Sequence, residues 1–329
     1  MISRNLFRFL SGKRLRESYR QPTYVVRIFH PRGQYPRGKI ALGDALFWAD
    51  EEVVFSVTHS RLWREHDGDA PYTEMDWLDP EELRFLGSIM FMEQDNSPAV
   101  RLYPIYKHGP RLGVKHLNFS SEAVLDKLRR TIWIHINHPP WYARELEDCK
   151  RLRYSLISPG DLNLPGHRAY WDGIDTRDYV MLRGINALMK ADMLVCYHEF
   201  MEEAIVSAFI AMDASFQLIV RALVKQGKKN PSAHDAALWL HEHFNEALDL
   251  PRPTVEKYFE QAYRQRIMTL HPSSRLGDHP YAPLMADDFS FLRRDLRQIL
   301  AYLASGSHDP HYVETVAETL HRRGPTKSK

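Results

Sequence analysis

Cysteine is nearly absent, with two residues in 329, Cys149 and Cys196. Two thiols cannot build a disulfide framework or a thiolate zinc site by themselves, and this usage suits a reducing, cytoplasmic compartment. Net charge is also nearly absent: Lys plus Arg number 44 against 42 Asp plus Glu. The molecule as a whole is therefore no polycation, and any RNA site must be local. Long unbroken apolar runs are missing too. The most apolar stretch, residues 204–224, carries Asp213, Gln217 and Arg221 at i, i+4, i+8, the polar stripe of an amphipathic bundle helix and not of a membrane span. The first twenty residues alternate apolar with basic positions and lack an apolar h-region, so no signal peptide is expected. Arg4, Arg8, Lys13, Arg14, Arg16 and Arg20 are expected to form a solvated basic arm over residues 1–20. Gly227-Lys228-Lys229-Asn230 lacks the glycine spacing and the following Ser or Thr of a phosphate-cradling loop, and no dinucleotide fingerprint appears. ATP-driven chemistry is not supported, and no cofactor is expected. The chain has no internal repeat and no low-complexity block.

What is present is the composition of a folded protein: 38.5 kDa, 44% hydrophobic and 26% charged, enough chain for two domains. The predicted fold class is α+β, with a mixed α+β domain over residues 21–138, a connector over 139–176, a helical bundle over 177–306 and a polar tail over 307–329. In the first domain, strands are predicted for residues 23–29, 52–58, 100–106 and 131–136, where β-branched and aromatic residues cluster between turn signals. Asp79-Pro80-Glu81-Glu82 predicts a helix start, with Asp79 as N-cap, Pro80 at N1 and Glu82 closing a capping box. Ser120 or Ser121 is expected to open a second helix over residues 122–130. His135 and His138 read as turn and surface residues at a strand end. In the connector, Pro139-Pro140, Ser158-Pro159-Gly160 and Pro165-Gly166 signal turns around one short helix at 141–154. Trp133, Trp141, Tyr142 and Trp171 near this connector either pack a junction or line a ligand pocket, the ligand being unidentified.

From residue 177 onward helical periodicity takes over. Residues 179–200 and 201–225 form two helices or one bent helix. Ser232 is expected to cap residues 233–248, Thr254 to cap 255–270, and Asp287 or Asp288 to cap 289–304, with Gly306 at C′. Residues 322–329 are polar, basic and expected to be disordered.

Tyr263-Arg264-Gln265-Arg266-Ile267-Met268-Thr269-Leu270-His271-Pro272 carries the clearest chemistry. Pro272 disfavours the α conformation at His271, which puts this histidine at or just past a helix end. Arg264 lies seven residues before His271 and falls almost on its stripe, whereas Arg266 lies five before. An arginine and a histidine separated by four to six intervening residues, within a short helical domain, resemble the signature of the HEPN superfamily. The helix through Asp213, the loop from His271 to Gly277 and a closing helix through Leu300 extend that resemblance over the C-terminal half. Active members usually place a polar residue after the arginine. Gln265 follows Arg264 and Ile267 follows Arg266, which makes Arg264 with His271 the cleaner match.

The resemblance implies a metal-independent endoribonuclease acting as a homodimer on RNA, of the kind found in bacterial defence and toxin systems, or a relative that keeps the shape as a non-catalytic binding or regulatory protein. His271, with an ordinary pKa near 6.5, would move protons at the ribose 2′-hydroxyl or the leaving oxygen, and the arginine would hold the phosphate. The other reading of His271 is a helix C-cap whose charge suits the macrodipole. Asp213, set in an apolar helix, needs a cation or hydroxyl partner, for which Arg264 and Arg266 are the candidates. No metal site is expected: His241 and His243 point about 200° apart on a helix, and His308 and His311 read as solvated.

Overall fold

The computed structural model describes residues 23–32, 38–50, 52–60, 78–92, 101–104, 111, 112, 114, 116–137, 164–195, 198–248, 258–270 and 286–323. They belong to two compact units, Met1–Ile89 with Pro98–Trp171, and Met90–Ser97 with Asp172–Lys329. The basic arm, both cysteines, Trp141, Tyr142, the helix expected at 141–154 and His271 lie outside the described residues.

The first unit is built on an antiparallel sheet of β1 (Thr23–Arg32), β2 (Gly38–Leu42), β3 (Ala45–Ala49), β4 (Val54–Ser60), β5 (Arg101–Pro104) and β6 (Arg111–Leu112). The strand order is β2-β3-β4-β1-β5, and β6 pairs with β1 beside Tyr24 and Val25. Alternation along β1 sorts its residues to two faces. Tyr24, Val26 and Ile28, with Leu46, Phe55 and Val57, pack against Leu125, Leu128 and Ile132 of helix α2 (Glu122–Asn137). On the opposite face Arg27 donates from Nε and Nη2 to both Glu82 carboxylate oxygens at 2.7 and 3.0 Å, which ties the sheet to helix α1 (Pro80–Phe91). A bidentate pair of this kind keeps two buried charges solvated by each other.

Helix α1 starts as expected: Asp79 Oδ1 accepts from Glu81 N and Glu82 Oε2 accepts from Asp79 N. Two other expectations in this unit are corrected, and one hairpin was not anticipated. Residues 131–136 are helical, the last turns of α2, because Leu125, Leu128 and Ile132 repeat at three and four residues and this spacing outweighs the β-branched run; His135 is consequently a helix residue. The β2–β3 hairpin, turning at Gly43-Asp44 with Gly43 at φ +55, went unread. Pro165-Gly166 does not mark a turn but sits in the first turn of helix α3 (Leu164–Gly173), where proline lacks only an N–H that has no helical acceptor.

Helix α3 lies on α1. Arg84 Nε donates to the Trp171 carbonyl at 2.6 Å, its guanidinium stands 4.3 Å over the Trp171 ring, and Phe85 meets that ring edge-on. Trp171 is thus committed to packing, whereas Trp133 is exposed on α2. His167 on α3 is buried with an Nδ1 that has no hydrogen-bond partner among the described residues. Burial pushes its pKa down to about 4, against a hydrogen bond to the Ser88 backbone that favours the charged form.

The second unit is helical: α4 (Tyr179–Leu194), α5 (Met201–Lys225), α6 (Ala233–Leu240), α7 (Tyr258–Leu270), α8 (Ala286–Ser305) and α9 (Pro310–Arg323). The bent-helix alternative is settled, since α4 and α5 are separate, with a 3-10 turn at His198–Phe200 before α5. They run antiparallel, Asp178 meeting Arg221 at one end and Gly184 meeting Ala214 further along. A Cβ at Gly184 would stand 3.2 Å from both Ala214 Cβ and Leu300 Cδ2, so glycine permits the close approach of three helices. Asp192 and Arg293 join α4 to α8 through a buried bidentate pair, with Arg293 Nη2 2.8 Å from Oδ2. By length and composition α5 could cross a membrane, but 56% of its most apolar window is buried inside the protein.

Ser232 caps α6 with a reciprocal Ser232–Asp235 box, as expected, although a π turn at His241–Glu246 replaces the predicted α-helical continuation. Gly306 follows α8 with φ +74 and donates to the Tyr302 carbonyl. Asp287 and Asp288, expected before the helix, lie within α8. The segment read as a polar tail carries α9, and residues 322 and 323 are its last turn.

Candidate functional site

Of the sequence-derived site residues, Arg264 and Arg266 lie on α7 and Asp213 on α5. Phe259, Ala262 and Thr269 are buried, and Phe259 meets Phe216 of α5 edge-on, ring centroids 5.2 Å apart. At 100° per residue these positions fix the inner face. Arg264 falls nearly opposite it and is exposed, with no ion pair among the described residues. Helix α7 is continuous to Leu270, the residue before His271. His271, expected at the end of this helix, lies outside the described residues.

Arg266 turns the other way. Its Nη2 lies 3.4 Å from Asp213 Oδ2 on α5, so of the two arginines proposed as partners for Asp213, Arg266 takes the role. Burial raises the Asp213 carboxyl above the ordinary range, and the Arg266 charge only partly opposes this. The carboxylate remains 44% exposed, which makes it a rim residue of the bundle and not a deeply buried charge. The stripe Asp213, Gln217, Arg221 divides accordingly: Gln217 is exposed, and Arg221 Nη1 donates to Asp178 Oδ1 at 2.9 Å, the carboxylate that also caps α4.

Tyr263, to which the sequence assigns no role, neighbours both arginines on α7. It is 52% exposed, and the Arg266 guanidinium sits 5.7 Å from its ring centroid, within cation–π range. An aromatic beside two arginines was the available signal.

A second cluster surrounds the π turn. His243 stacks on Trp239 at 4.1 Å and donates from Nδ1 to the Trp239 carbonyl at 2.8 Å. His308 Nε2 donates to the His243 carbonyl at 2.7 Å, with Phe244, Tyr302 and Tyr312 around its ring. The expectation of a solvated His308 is overturned: it is half-buried, and burial lowers its pKa despite that hydrogen bond. His241 instead faces Glu246, Nε2 to Oε1 3.2 Å. No group of three or more His, Cys, Asp or Glu side chains suited to a metal ion occurs among the described residues.

Comparison with protein-family models, with curated proteins and with solved structures finds no match to this chain.

Proposed function

We propose that the helical unit is HEPN-like and that the protein is an RNA-cleaving or RNA-binding effector acting at the outward face of α7. The observation that carries this reading is the division of labour between two arginines: Arg266 is engaged with Asp213, while Arg264 stands exposed on the face opposite the core. In this reading Arg264 holds the scissile phosphate. His271 takes the proton of the ribose 2′-hydroxyl, whose oxygen attacks phosphorus. The bond to the 5′-oxygen breaks, that oxygen takes up a proton, and a 2′,3′-cyclic phosphate and a 5′-hydroxyl result. The nucleophile belongs to the RNA, so the step needs no metal.

Because the Arg264 stripe faces away from its own bundle, a second copy placing the same stripe across it would close a cleft, the self-complementary geometry of a two-fold dimer. Incubating the full-length protein with RNA in EDTA tests the reading: cleavage leaving cyclic phosphate ends is expected. RNA binding with no cleavage would favour the non-catalytic alternative, and neither binding nor cleavage would end the RNA reading.

A further inference from the structure

We propose that Tyr263 is a base-stacking platform that restricts the site on α7 to single-stranded RNA. The inference rests on the RNA reading above and adds the class of strand it accepts. Tyr258 and Phe259, the other aromatics of α7, pack against each other edge-on, and Phe259 is buried; Tyr263 is the exposed residue of the three, at 52%.

That ring is held in place. Asp213 fixes Arg266 at 3.4 Å, and the Arg266 guanidinium stands 5.7 Å from the Tyr263 centroid, so the chain from Asp213 through Arg266 orients the ring at the surface. The next residue is Arg264, about 100° further round the helix. A guanidinium able to take a phosphate and an aromatic ring able to take a base are thereby presented by consecutive residues on adjoining sides of the helix. This is the pairing by which proteins hold single strands, stacking supplying affinity that tolerates any base. In a duplex the base faces are already stacked and closed to a side chain. Asp213 and Arg266 become positioning residues in this account, and Arg264 keeps the phosphate.

The test uses the full-length protein and a short RNA made resistant to cleavage by 2′-O-methylation, carrying 2-aminopurine at an internal position, offered as a single strand and as the annealed duplex. The wild type is expected to bind the strand at least about tenfold more tightly than the duplex and to quench 2-aminopurine fluorescence. Tyr263→Ala should weaken strand binding about tenfold to a hundredfold, the range for losing one stacked base, and abolish the quench. Tyr263→Leu, which keeps bulk without a π face, should behave like the alanine variant, and Tyr263→Trp should retain both properties. Unchanged binding and quenching by Tyr263→Ala, or a duplex bound as tightly as the strand, would overturn the stacking role while leaving the RNA reading in place. A wild type that binds neither form would overturn both.

Discussion

Arg266 and Asp213 face each other across α7 and α5 at 3.4 Å, with about a third of the arginine and 44% of the carboxylate exposed. Solvent at that exposure screens most of the attraction, so the pair orients more than it stabilises. Asp213→Asn should cost under about 1 kcal/mol in urea unfolding. A loss several times larger would mean that the pair holds the bundle together.

Asp192 and Arg293 are the opposite case, a bidentate pair with both side chains under a tenth exposed. Asp192→Ala removes the bidentate carboxylate from a buried guanidinium, which should cost about 3–5 kcal/mol. The same urea series reads both variants, and equal losses would contradict the difference in burial.

His167 makes stability pH-dependent. Its folded pKa is lowered to about 4, below the ordinary 6.5, so the unfolded chain binds the proton first and stability falls as pH drops from about 6.5 to 4. The full effect is about 3 kcal/mol, at 1.36 kcal/mol per pKa unit. Urea unfolding of the wild type and His167→Asn across this window should show the smaller slope in the variant. Parallel profiles would place the proton elsewhere.

His308 is expected to titrate below the ordinary histidine range, since burial among Phe244, Tyr302 and Tyr312 disfavours its charged form. A ring-proton NMR titration midpoint above 6.5 would contradict that environment.

Much of the fold was legible where local chemistry and tertiary packing agree. Asp79-Pro80-Glu81-Glu82 and Ser232 with Asp235 satisfy orphan N–H groups locally, so they can be read without knowing the fold. Residues 131–136 read as a strand because β-branched propensity is visible in the sequence, but it is weak beside the burial of Ile132 on the stripe of Leu125 and Leu128. Residues 310–323 looked like a tail because their charged positions hide a helix that begins at Pro310, where Asp309 Oδ1 accepts from Tyr312 N. At the site, the sequence offered two arginines for one carboxylate. Helical phase set Arg264 on the stripe of His271, and the structure adds that Arg264 is exposed on the side away from Phe259 and Ala262, but the partner of Asp213 depends on where α5 crosses α7, which no local signal encodes. Tyr263 was passed over because an exposed aromatic is told from a buried one only by packing.

The central claim is that Arg264, and not Arg266, holds the phosphate for His271. Cleavage of a short RNA under single-turnover conditions in EDTA, by wild type, Arg264→Ala, Arg266→Ala and His271→Ala, tests it most directly. Arg264→Ala and His271→Ala should each lose about a hundredfold or more in rate with folding intact by circular dichroism, while Arg266→Ala keeps substantially more activity than either. Full activity in Arg264→Ala beside an inactive Arg266→Ala would contradict the assignment.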